Sequence, residues 1–180
     1  MTKRRDILRK VLVICLLALP AVTMIAQDFY DEFRAKSIDV EGVKTGQKMT
    51  YDQFVTKFGK PTEYIQSDSD SGEEGTPTTD EYYRVGKDVF YFRNNGSFCG
   101  FSIKDKKLSV LTLWIDGGIH VGDKLSSLDN FKYGKPKVAS WLKPEDGLVD
   151  YVLFYDYLDD LVFLSVKDGV IQNIHYSSSM

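Results

Sequence analysis

Gly42-Val43-Lys44-Thr45-Gly46-Gln47-Lys48-Met49-Thr50 decides the reading, because its pattern returns as Gly118-Ile119-His120-Val121-Gly122-Asp123-Lys124-Leu125-Ser126. The offset is 76 residues, and each copy runs on into a second shared feature. Tyr51 to Phe58 is followed by Gly59-Lys60-Pro61, and Ser127 to Tyr133 by Gly134-Lys135-Pro136, now at an offset of 75. Matches kept in this order mark a duplicated supersecondary unit.

Each motif predicts a helix start. Thr50 and Ser126 stand where an N-cap side chain accepts from the first turn, with Gln53 and Asp129 three residues on in capping-box position. Tyr51, Phe54 and Phe58 recur at helical spacing, as do Leu125, Leu128 and Phe131, giving one apolar stripe per copy. Gly59 and Gly134 suit a left-handed C-cap, and the prolines after them forbid continuation. Gly-Lys-Pro is therefore a helix stop, since the remaining glycines and the Ser/Thr of a phosphate-binding loop are missing.

Beyond each helix the periodicity turns to two. Strands are predicted near Glu81 to Val85, Val89 to Arg93, Phe98 to Ile103 and Leu108 to Ile115 in the first copy. In the second they fall near Lys137 to Leu142, Val149 to Tyr155, Leu161 to Lys167 and Val170 to Tyr176. Gly86-Lys87, Asn94-Asn95-Gly96 and Asp168-Gly169 supply turns. The fold class expected is α+β: two tandem units, each a helix and then a four-stranded antiparallel meander. They span 42–117 and 118–180, after an N-terminal segment at 27–41. Ser67 to Glu81 has no apolar side chain and reads as an acidic loop.

Residues 1–26 carry the marks of an export signal. Lys3, Arg4, Arg5, Arg9 and Lys10 precede the apolar run Val11 to Ala26, and Ala26 offers a small residue for cleavage. The run is shorter than the roughly 20 residues of a membrane-spanning helix, which favours cleavage over the alternative of a retained N-terminal anchor. Cleavage there predicts a periplasmic or secreted chain of about 154 residues with no membrane insertion afterwards. It leaves 18 basic against 25 acidic side chains, about −7, which argues against a nucleic-acid partner and against anionic lipid. With Cys15 lost, Cys99 stands alone and reads as a buried small hydrophobe.

The paired Gly-x-Lys-(Met/Leu)-(Thr/Ser) and (Phe/Tyr)-Gly-Lys-Pro motifs, each followed by a meander, resemble the β-lactamase inhibitory protein (BLIP) and SmpA/OmlA superfamily. The resemblance covers about residues 40–177. It implies two lobes whose joined sheets form a concave, protein-gripping face, as in BLIP, or an envelope role, as in the lipoprotein BamE. This chain departs from both. It cannot form the disulfide typical of BLIP-type domains, and no cysteine ends the apolar run for acylation.

Strand parity then selects side chains for such a face. With Phe90 and Phe92 inward, Tyr91 and Arg93 point out. With Leu111, Leu113 and Ile115 inward, Trp114 points out. Val162, Leu164 and Val166 leave Phe163 outside, and Tyr155 and His175 are outward members of their strands. Tyr, Trp and Arg on an open sheet face are the usual anchors of a protein interface. No His-x-x-x-His, Cys-x-x-Cys or Gly-x-Ser-x-Gly occurs, so neither a catalytic residue, a metal site nor a cofactor is assigned. The function expected is an exported, non-enzymatic protein-binding module of the bacterial envelope. An inhibitor of a secreted or periplasmic hydrolase is one alternative, and an envelope enzyme the other.

Overall fold

A computed structural model describes residues 37–69, 78–105, 107–143, 146–153 and 161–177. The putting-together begins at a two-residue hairpin, β1 (Asp39–Val40) and β2 (Val43–Lys44), and helix α1 (Tyr51–Phe58). Then come β3 (Glu63–Ser69), β4 (Thr78–Val85), β5 (Asp88–Arg93) and β6 (Phe98–Ile103). After a 3-10 turn at Leu125–Leu128 follow β7 (Lys137–Val138), β8 (Val149–Leu153), β9 (Val162–Lys167) and β10 (Val170–Ser177). The last eight strands form one antiparallel sheet in the order β3-β4-β5-β6-β10-β9-β8-β7.

This corrects the expected architecture. The described residues are mostly β, with one short helix and a single eight-stranded sheet, not two helix-plus-sheet units. The first motif does start a helix. Thr50 Oγ1 accepts from Gln53 N at 3.3 Å while Gln53 Oε1 accepts from Thr50 N at 2.8 Å, a complete capping box. At Ser126 no such box forms. Ser127 Oγ turns back to the Lys124 carbonyl at 2.7 Å, and the backbone closes in three-residue steps, Asp129 N on Ser126 O and Phe131 N on Leu128 O. Ser126-Ser127 and Asp129-Asn130 compete for their own backbone and disfavour a helix interior. Gly59 ends α1 at φ 96°, ψ 171°, an extended positive-φ conformation instead of the left-handed cap expected.

The two motifs nevertheless make the same backbone bonds. Gly46 N donates to Phe98 O and Gly122 N to Ile171 O; Met49 N donates to Gly96 O and Leu125 N to Gly169 O. Each loop thus lies on a later hairpin, the first on β5–β6 and the second on β9–β10. Gln47 Oε1 and Asp123 Oδ2 even take matching roles, accepting from Lys44 N and His120 N.

Three readings change, the first being Lys137 to Leu142, of which only Lys137–Val138 is strand before the chain turns. Leu108 to Ile115 is no strand: only Val110 bridges, to Val40 and Ile119, and Leu111 sits at φ 60°. The cause is Asp39, fully buried, whose carboxylate accepts from Gly42 N, Thr112 N, Thr112 Oγ1 and Leu113 N and bends the chain around itself. The acidic segment is no simple loop either, because its flanks pair from Gln66 with Glu81 to Ser69 with Thr78. Its centre, at 70–77, lies outside the described residues, as do the export signal at 1–26 and most of the segment before Ile38.

One sheet face carries the core. Phe90, Phe92, Phe98, Phe101, Ile103, Val162, Leu164, Ile174 and Tyr176 are all buried. Phe54 of α1 lies 4.8 Å from Tyr83, 5.3 Å from Phe90 and 5.7 Å from Phe92, ring centre to ring centre. Phe58 reaches Phe90 at 4.5 Å. Burying each such side chain stabilises by roughly 1.5–3 kcal/mol. The opposite face therefore holds the outward members of the same strands.

Candidate functional site: an aromatic row across the sheet

The row is built by parity and register. Tyr82 is opposite Tyr91, Tyr91 is opposite Gly100, and His175 is opposite Phe163. Rings make contact from Tyr82 to Tyr91 at 6.2 Å, Tyr91 to His175 at 6.3 Å, and His175 to Phe163 at 6.3 Å. The middle contact crosses β6, where Gly100 presents no side chain between the Tyr91 and His175 rings. Four side chains from β4, β5, β10 and β9 thus form one line across the join between β6 and β10. All four are half-buried, and Arg93 lies on the same face of β5.

The row's polar groups are tuned by burial. Burial, reinforced by Tyr82 and opposed by Arg84, pushes the Tyr91 phenol up. Burial also holds the His175 imidazole below its ordinary value, against Asp150 and a backbone hydrogen bond at Phe101. The ring is therefore neutral near pH 7, an aromatic surface with one polar edge. At the far end Arg84 Nε meets Glu63 Oε2 at 2.6 Å, an exposed pair of small energetic weight.

Of the residues selected by sequence, Tyr91, Arg93, Phe163 and His175 come together here. Trp114 does not: with its strand replaced by a turn, its ring packs edge-on against Tyr133 at 4.8 Å. Tyr155 lies outside the described residues. Tyr82 belongs to the row and was missed, although the alternation Tyr82-Tyr83 before Gly86 carried the signal. Cys99 corrects the buried reading: it is half-buried, the extra residue of a bulge where Tyr91 pairs with Gly100 and Phe92 with Phe98.

A second constellation went unread in the sequence. Ser109 Oγ lies 2.7 Å from His120 Nε2, and Asp123 Oδ2 lies 3.6 Å from His120 Nδ1. The first distance is that of a nucleophile and its base; the second exceeds a hydrogen bond. Asp123 instead accepts from His120 N at 2.8 Å, and Ser109 N donates to Glu41 Oε1 at 2.6 Å. That puts a carboxylate, not a free donor, beside the serine. Among the described residues no three metal-ligating side chains converge. Comparison with family models, with characterised proteins and with solved structures finds no match.

Proposed function

We propose that the chain is an exported, non-enzymatic protein-binding module that holds its partner on the aromatic row. The observation carrying this reading is the continuous line Tyr82–Tyr91–His175–Phe163 on the face opposite the core. Rigid aromatic side chains on a sheet lose little conformational freedom on binding and offer large contact areas, which is why they anchor interfaces. The envelope is the compartment this reading adopts, from the basic and apolar pattern of residues 1–26. A secreted or periplasmic hydrolase held on this face is its narrower form.

The test is capture from envelope extract by the chain from Gln27 onward, beside Tyr91→Ala/Phe163→Ala and a Trp114→Ala control off the row. A protein held by wild type and control, and released by the double variant at an unchanged circular dichroism spectrum, supports the reading. Equal capture by all three removes the row from it.

Ser109 and His120 favour one second reading, an acyl-transfer enzyme with Ser109 as nucleophile and His120 as base. A fluorophosphonate probe decides it: labelling that Ser109→Ala and His120→Gln both abolish supports the enzyme, and an unlabelled native chain dismisses it. The Glu41 carboxylate on Ser109 N opposes a developing oxyanion, so the binding reading is preferred.

A further inference from the structure

Charge and exposure single out one more surface, at the sheet's outer edge beyond β7. Among the described residues the backbone of Lys137 and Val138 pairs in the sheet with β8 alone, and Ala139 N continues the ladder to Asp150 O at 2.8 Å. The chain then turns, with Leu142 N donating to Ala139 O at 3.0 Å. Ala139 is buried and anchors the turn, while Val138, Trp141 and Leu142 are 52%, 51% and 40% exposed. Only two other large apolar side chains among the described residues are exposed to this degree, Tyr51 and Tyr64, so the turn is a local apolar concentration.

The same segment is basic. Lys132, Lys135, Lys137 and Lys143 are exposed, Lys132 Nζ donating to Tyr133 Oη at 3.0 Å, and the run Asn130 to Pro144, between Asp129 and Glu145, contains no Asp or Glu. Setting these four lysines aside leaves 19 basic and 26 acidic side chains, a balance of −7 on the rest of the chain. A positive edge on a negative body is oriented by an anionic surface, edge inward and body away. Net charge argued against such a surface; its distribution argues for it.

We infer that the turn 139–142 and its flanking lysines dock peripherally on an anionic phospholipid bilayer. Tryptophan is favoured at the headgroup level, where its ring is wetted at one end and apolar at the other. Val138 and Leu142 gain free energy from the acyl boundary, and lysine stems extend to place their ammonium groups among phosphates. A nucleic-acid backbone would reward neither aliphatic side chain, and this patch has no arginine fork for base edges. Docking here is surface attachment: among the described residues no helix is long and apolar enough to cross a membrane. The inference is independent of the aromatic row, which lies in the middle of the sheet.

The experiment uses the full chain carrying Trp114→Phe, which leaves Trp141 as its one tryptophan. Residues 1–26 contain no tryptophan, so the emission read is that of Trp141 alone. On phosphatidylcholine vesicles containing about one-third phosphatidylglycerol, Trp141 emission shifts to the blue and is quenched by brominated acyl chains. Each lysine near such a surface contributes roughly a fivefold factor, so Lys135→Glu/Lys137→Glu/Lys143→Glu weakens the response roughly a hundredfold or more. Raising salt to about 1 M, where the Debye length falls to about 3 Å, weakens it likewise. Emission unchanged on these vesicles, an equal shift on pure phosphatidylcholine, or a response that survives charge reversal overturns the inference. A shift with polyglutamate and none with vesicles also overturns it, in favour of an acidic polypeptide. Tyr91→Ala, by contrast, leaves the Trp141 response intact.

Discussion

His175 and Asp88 are both titratable groups held by burial, and they give opposite dependences on pH. His175 is kept neutral, its imidazole below the ordinary histidine value, so the folded chain binds fewer protons than the unfolded one near and below pH 6.5. The contribution is present above that pH and is lost as pH falls through the folded value. Urea unfolding between pH 7.5 and 5 should show wild type losing stability on acidification relative to His175→Phe, with the gap closing above pH 7. Asp88 runs the other way. It is 4% exposed, and burial raises its carboxyl although Lys104 N and Asp105 N donate to Oδ1 at 2.7 Å and 2.9 Å. Its protonated form favours the fold, an advantage present below about pH 3.9 and lost as pH rises through the folded value. Asp88→Asn keeps the accepting oxygen without the charge. It should gain on wild type steadily from pH 4 upward in the same unfolding measurement, whereas Asp88→Ala, which orphans both donors, should lose about 1–3 kcal/mol at pH 7.

At the scale of elements, two near-identical motifs have different outcomes. Thr50 completes a capping box and α1 follows; Ser126 caps nothing, and the chain closes in 3-10 steps. Thr50→Ala should therefore cost about 1 kcal/mol in thermal or urea unfolding, and Ser126→Ala should stay within about 0.5 kcal/mol. Gly59 adds a second contrast. A Cβ there would meet only Val85 Cγ1, at an ordinary 3.7 Å, so space is not the obstacle. The backbone is, and Gly59→Ala should cost about 1–3 kcal/mol by strain alone, visible as a lower melting temperature. The helix was legible at Thr50 to Pro61 because its cap, stripe and stop all agree locally. It was over-read at Ser126 to Pro136, where one fewer residue and four short polar residues, of which Ser127 bonds the Lys124 carbonyl, outweigh the cap pattern.

For the whole molecule the join between β6 and β10 matters most, since it makes one sheet of eight strands. Ile174 of β10 is opposite Ile103 of β6, and both are fully buried. Ile174→Ala should cost about 2–5 kcal/mol and lower the stability of both halves in one transition, read by hydrogen exchange in β5 and β8 together. Exchange that loosens only β8–β10 would show that the halves unfold separately. No local pattern announced this join, because pairing between distant strands leaves no mark in either strand's own alternation. Nor did any local pattern announce β3, whose polar Glu63 to Ser69 lacks the apolar alternation of a half-buried strand.

The sequence by itself determined what depends on near neighbours: the repeated loop, the capped helix at Thr50, the hairpins of β4–β6 and β8–β10, and the outward parity of Tyr91, Arg93, Phe163 and His175. Those features follow from side-chain period and turn chemistry, which act over a few residues. Only the tertiary structure decided that Trp114 leaves the sheet and that Tyr82 joins a row reaching His175 and Phe163. Each of these depends on a residue far along the chain. Asp39 gathers the amides of Thr112 and Leu113, Gly100 clears the way between Tyr91 and His175, and the β6–β10 pairing sets one meander beside the other. Contacts closed across seventy residues are chosen by burial and hydrogen-bond satisfaction in the assembled core, and no window of sequence contains both partners.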